Sequence, residues 1–91
     1  AWLTVSYEIL LKPAAQRQLK KLPRSVQHEL IALIERLSQD PRPPGCKKLK
    51  GRQSQYRVRL GDYRVIYSIE EIALVVRIIK VGHRRDIYEE P

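Results

Sequence analysis

The hydrophobic pattern of this chain changes period partway along, and a proline-dense hexapeptide marks the change. Before it, Ala15, Leu19 and Leu22, and then Val26, Leu30, Leu33, Ile34 and Leu37, recur at the three-to-four-residue spacing of amphipathic helices. After it, Tyr56, Val58 and Leu60 alternate with Gln55, Arg57 and Arg59, which is the period of a strand. The segment between, Asp40-Pro41-Arg42-Pro43-Pro44-Gly45, cannot continue a helix, because its three prolines lack amide donors and restrict the residues before them. The chain must therefore bury a helical part against a sheet, and the layer arrangement that does so is α+β.

The element reading follows from the punctuation. Strand formers between Leu3 and Leu11 end at Lys12-Pro13. A short helix then runs to Leu22, where Pro23 breaks it, and a second runs from about Arg24 to Gln39, giving two antiparallel helices. Beyond the proline loop, Tyr56 to Leu60, Tyr63 to Glu70 and Ile72 to Val81 read as an antiparallel meander with turns at Gly61-Asp62 and Glu70-Glu71. The expected fold is two N-terminal helices packed on one face of a small twisted, mainly antiparallel four-stranded sheet. At 91 residues the chain has room for one domain, taken as 1–91.

Composition narrows the function classes. The 18 Lys and Arg against 10 Asp and Glu give a formal charge of +8, a field that attracts polyanions, of which nucleic acid is the commonest. Cys46 is the single cysteine, which excludes an internal disulfide and a cysteine-rich metal cluster and fits a reducing, cytoplasmic setting. No apolar run approaches the length that spans a bilayer, so no membrane partner is expected.

Two clusters carry chemistry. The strand period puts Arg57 and Arg59 together on the face opposite Tyr56, Val58 and Leu60, and Arg64 on the neighbouring strand joins them. If the helices cover the apolar face, the other is a cationic platform, and adjacent like charges cost stability unless an anion compensates them. The second cluster is Gly82-His83-Arg84-Arg85-Asp86-Ile87-Tyr88, read as following the last strand, with an imidazole, two guanidiniums and a phenol. His28, on the polar side of the second helix, reads as a solvated surface residue.

Three stretches together, Lys48-Leu49-Lys50-Gly51, Tyr56 through Tyr67, and Val81 through Tyr88, resemble the RelE branch of the RelE/ParE toxins, as does Leu19-Lys20-Lys21-Leu22-Pro23. The likeness runs from Tyr7 to Tyr88. It implies a RelE-like, microbial-RNase-like fold and a toxin of a type II toxin–antitoxin system that cleaves messenger RNA in the ribosomal A site. The implied cleavage is attack of a ribose 2′-hydroxyl on the adjacent phosphodiester, with no metal and no cofactor. The implied partners are an acidic antitoxin, the ribosome with its rRNA and mRNA, and, through the antitoxin, operator DNA. Family functional positions fall on Lys50, Arg57, Arg59, Arg64, Arg84 and Tyr88.

Arg57 and Arg59 stand where well-known members carry lysine, and His83 where some do, so which group is acid and which is base stays open. Arginine suits charge stabilisation, since its planar fork binds phosphate oxygens bidentately and stays charged. An imidazole can move a proton near neutral pH, and a tyrosine can stack or relay one. The catalytic set is therefore Arg57, Arg59, Arg64, His83, Arg84 and Tyr88, with Lys47, Lys48, Lys50, Arg52 and Arg85 as RNA-binding cations. Two other classes remain open at this level: a ParE-like inhibitor of DNA gyrase, and a non-catalytic RNA- or ribosome-binding module.

Overall fold

A computed structural model describes residues 6–51 and 54–87. The order of elements is β1 (Glu8–Leu11), α1 (Pro13–Lys20), α2 (Arg24–Leu37), β2 (Lys47–Lys48), β3 (Gln55–Leu60), β4 (Tyr63–Glu70) and β5 (Val75–His83). The sheet order is β1-β5-β4-β3-β2, antiparallel except that β1 lies parallel to β5. The α+β expectation holds. The sheet gains a fifth strand, the two-residue β2 on the edge beside β3, too short to carry a periodic signal. The first strand expected from Leu3 begins at Glu8, and residues 1–5 lie outside the described residues.

Pro13 at the start of α1 has a fixed φ suited to the first helical turn. The expected stripe of Ala15 and Leu19 is buried, with Leu22 half-buried just past the helix end. Gln27 turns its side-chain amide back to the helix corner, where Nε2 donates to the carbonyls of Leu22 at 2.7 Å and Lys20 at 3.2 Å. Those are carbonyls that the end of α1 leaves without helical partners. From α2, Leu30, Leu33, Ile34 and Leu37 are buried with Tyr56, Val58, Val65, Tyr67, Ile69, Val76, Ile78 and Val81 of the sheet, so both helices sit on one face.

The last hairpin differs from its expected register. Glu70 pairs with Val75, so residues 71–74 form the turn, Leu74 takes a left-handed φ of 56°, and β5 starts three residues later than expected. Ile72, read as a strand residue, lies in that turn and is fully solvent-exposed. At its other end β5 continues two residues past Val81, so His83 closes the strand instead of following it. Between Ile66 and Tyr67 the register shifts: Ile66 faces Lys80 and Tyr67 faces Ile78, which leaves Ile79 as the extra residue of a bulge.

The proline loop is tied to the end of the sheet remote from His83. The buried Tyr67 hydroxyl donates to the Pro41 carbonyl at 2.8 Å, and burial raises its pKa well above the phenol range. Arg42 donates from Nε to the Tyr56 hydroxyl at 3.1 Å and forms an ion pair with Glu71, which also accepts from the Tyr7 hydroxyl at 2.7 Å. The Tyr7 bond first, and then Arg42, hold the Glu71 carboxyl below its usual range. A carboxyl depressed on folding contributes stability above its unfolded pKa and loses it as pH falls through the folded value. Urea midpoints of Glu71→Gln and the parent chain should therefore differ at neutral pH and converge in acid, the neutral-pH gap shrinking with salt because the pair is exposed.

Candidate RNA-facing site

Directly paired residues of antiparallel strands share a face, so the register fixes what the helix-free side of the sheet carries. Nearest the β3–β4 turn lies the row Arg59, Arg64 and Gly82; next comes Lys47, Arg57, Ile66 and Lys80; then Gln55, Ser68 and Arg77. The expected grouping of Arg57, Arg59 and Arg64 on one face is thus what the strands produce. Arg59 is exposed and Arg64 half-buried, but Arg57 is only 7% exposed. The platform is therefore not open at Arg57, contrary to expectation.

The strand partner of Arg57, Ile66, belongs to a second, smaller apolar cluster on this side. Leu49, Ile66 and Ile87 are buried together, with Ile79 packed against them. The chain reaches this cluster by turning after β5: the Asp86 amide donates to the His83 carbonyl at 2.8 Å, and Ile87 comes back over the sheet at Gly82. A Cβ on Gly82 would lie 3.4 Å from Cγ1 and 3.5 Å from Cδ1 of Ile87, in ordinary contact, so only a side chain larger than a methyl would press on the isoleucine. The sequence does carry a signal for this cover. Val65-Ile66-Tyr67 and Ile78-Ile79 break the alternation, as strands buried on both faces do.

The same turn sets Arg84 at the arginine end of the sheet. Its backbone amide donates to the Asp62 carbonyl at 2.7 Å, and its side-chain Nε stands 3.8 Å from Asp62 Oδ1. Asp62 lies in the β3–β4 turn, adjoining the row that holds Arg59 and Arg64. Arg85 is exposed, as are Lys47 and Lys48 of β2 and Lys50 of the following turn. Arg52 and Tyr88, both in the expected site, lie outside the described residues.

His83 goes to the other side. It pairs with Tyr63, whose ring packs against the main core, and the two rings meet edge to face with centroids 5.5 Å apart. Its Nδ1 accepts from the Arg85 amide at 3.3 Å, which leaves Nε2 for any other contact. The imidazole lines a cleft of about 230 Å³ with Gln18, Lys21, Lys80, Asp86 and Ile87 among its walls. Beyond the reach of β1, Gln18 Oε1 accepts from the Val81 amide at 2.9 Å and so caps this stretch of the β5 edge. His28 is exposed on α2, as expected. Among the described residues, no three His, Cys, Asp or Glu side chains gather in a way that could hold a metal ion. No helix among them is long and apolar enough to cross a membrane.

A two-helix, mixed-sheet fold with guanidiniums gathered at one sheet end has close counterparts among small toxins. The profile described as the ParE toxin of the type II toxin–antitoxin system parDE matches residues 9–88. Toxin RelG of Mycobacterium tuberculosis is 33% identical over 86 residues, covering 90% of this chain and 95% of its own. Among solved structures, the toxin–antitoxin complex RelBE2 of M. tuberculosis matches with a TM-score of 0.78 at 29% identity, covering 90% of this chain and 95% of that one. The archaeal RelE–RelB complex of Pyrococcus horikoshii matches with a TM-score of 0.78 at 31% identity, over 87% and 96% of the two chains. The chain belongs to the RelE/ParE family of type II toxins, in its RelE branch.

Because Ile87 holds the turn that carries Arg84, Ile87→Ala should lower stability by about 2 kcal/mol, the low end for a truncated core isoleucine. Gly82→Val should act in the same direction from beneath, by overfilling the contact. Urea unfolding checks both, and unchanged midpoints would mean the return segment does not pack as described.

Proposed function

We propose that this toxin is an endoribonuclease that cleaves messenger RNA in the ribosomal A site by attack of a ribose 2′-hydroxyl on the neighbouring phosphodiester. The observation that carries this reading is the gathering of Arg59, Arg64 and Arg84 at one end of the sheet, with Arg57 in the adjoining row. In-line attack builds charge on the phosphoryl oxygens, and preplaced guanidiniums stabilise that charge without first reorganising. They also bind phosphate in two-pronged fashion. Lys47, Lys48, Lys50 and Arg85 extend the cationic surface toward rRNA and the message, and Arg52 is a further candidate RNA-binding cation.

Proton transfer needs a different group, because a guanidinium does not give up its proton in this range. His83 and Tyr88 are the candidates. The 2′-oxygen loses its proton as its bond to phosphorus forms, and the departing 5′-oxygen gains one as its bond to phosphorus breaks. His83 reaches this chemistry only from the cleft side, through Nε2, so its part is peripheral unless RNA folds around the end of β5. The antitoxin partner is proposed from the RelB–RelE complexes among the related structures. An acidic, amphipathic chain would complement the +8 charge and the exposed apolar positions. Operator DNA would then be met through that partner.

Arg84→Ala should abolish cleavage on translating ribosomes while leaving the urea midpoint nearly unchanged, since an arginine 64% exposed adds little to folding. Arg59→Ala should flatten the dependence of ribosome association on salt, the lost phosphate contact removing about one unit of slope. His83→Ala should cost about 10²–10⁴ in single-turnover rate if the imidazole transfers the proton, and change binding alone if it does not. Tyr88→Phe keeps the ring, so loss of activity there assigns the hydroxyl. Full activity in Arg84→Ala, His83→Ala and Tyr88→Phe alike would overturn the site. Stalled ribosomes without breaks would favour a binding module, and loss of supercoiling would favour the gyrase-directed activity of the ParE branch.

A further inference from the structure

We infer that Asp62 is a positioning residue for Arg84: its carboxylate holds the Nε edge of the guanidinium so that the two terminal nitrogens face the scissile phosphate. The inference rests on the nuclease reading above and adds to it a residue whose role is to aim a cation. Two contacts link the residues, and they do different things. The bond from the Arg84 amide to the Asp62 carbonyl, at 2.7 Å, ties the turn after β5 to the β3–β4 turn and survives any substitution of the Asp62 side chain. The contact of Arg84 Nε with Asp62 Oδ1, at 3.8 Å, depends on the carboxylate.

A guanidinium offers five donors in a fixed plane, and either of two edges can grip an anion with paired bonds. With Nε turned to Asp62, the edge formed by Nη1 and Nη2 is the one left for a phosphate. Both side chains are about two-thirds exposed, at 64% and 65%, so the pair is reachable by RNA and contributes little to folding. What it does supply is direction. A long side chain at the end of a strand otherwise samples many rotamers, and misplacing a charge-stabilising group by about 1 Å can cost up to 10²-fold in rate.

The surroundings favour a role at the arginine end over a purely local one. Asp62 is the carboxylate of the turn next to the Arg59–Arg64 pair, within a chain of net charge +8. A carboxylate there opposes anion binding by simple charge, which makes its presence costly to RNA affinity unless it orders a neighbour. The other exposed carboxylate of the return segment, Asp86, lines the cleft beside His83 and is not paired with Arg84.

The test combines three variants of the full chain. Asp62→Ala should lower the single-turnover rate at saturating ribosomes by about 10- to 100-fold. The half-saturating concentration should stay the same or fall, because a negative charge has been removed. Asp62→Glu should recover part of the rate. Adding Asp62→Ala to Arg84→Ala should cost nothing further, since the group being aimed is already gone. An independent arm reads Arg84 directly: ¹⁵N relaxation of its Nε–H should show restricted motion in the parent chain and freer motion in Asp62→Ala, with the backbone amide spectrum of β3–β4 retained. Arg84 Nε–H motion that is identical in the two proteins overturns the inference whatever the activity. An unchanged rate in Asp62→Ala beside an inactive Arg84→Ala overturns it while leaving the nuclease reading intact, whereas a fully active Arg84→Ala removes the nuclease role of Arg84 itself.

Discussion

The contact of Ile87 over Gly82 governs the geometry of the arginine end. Folding Ile87 onto Leu49 and Ile66 turns residues 84–87 back across the sheet, and that turn brings the Arg84 amide to the Asp62 carbonyl. A buried isoleucine supplies about 1.5–3 kcal/mol of transfer free energy, enough to order a short segment but not to withstand loss of its floor. The backbone of Arg84 is thus placed by an apolar contact three residues away.

The two halves of the chain were legible to different degrees. Helix spacing and proline punctuation identified both helices and their common face, because a 3.6-residue stripe bounded by Pro13, Pro23 and the 40–45 loop admits few other readings. The arginine face was legible from the period of two in β3. Burial of Arg57 was not, because the period of two fixes the face a residue takes and not what covers that face. The displaced start of β5 had a similar cause. Ile72 has the composition of a strand residue, but pairing of Glu70 with Val75 leaves it in the turn. Asp62 was visible only as a turn residue, since its partner arrives from the far end of the chain.

The separation of His83 from the arginines across the sheet is the main departure from the motif order. Arg57, Arg59 and Arg64 share the helix-free face, whereas His83, adjacent in sequence to Arg84, packs edge to face on Tyr63 among residues that belong to the helix side. Sequence neighbours at a strand end point to opposite faces. In the proposed mechanism, electrostatic stabilisation would come from the arginines directly, and proton transfer from a group that RNA must reach around the end of β5 or from Tyr88.

Attack by a 2′-hydroxyl and attack by water leave different ends on the RNA, so the fragments themselves report which nucleophile acts. Messenger RNA recovered from translating ribosomes treated with this toxin should carry a 2′,3′-cyclic phosphate, or the 3′-phosphate formed when it opens, on the upstream fragment and a 5′-hydroxyl on the downstream one. Fragments bearing a 5′-phosphate and a 3′-hydroxyl, or an intact message beneath stalled ribosomes, would rule out 2′-hydroxyl attack by this toxin.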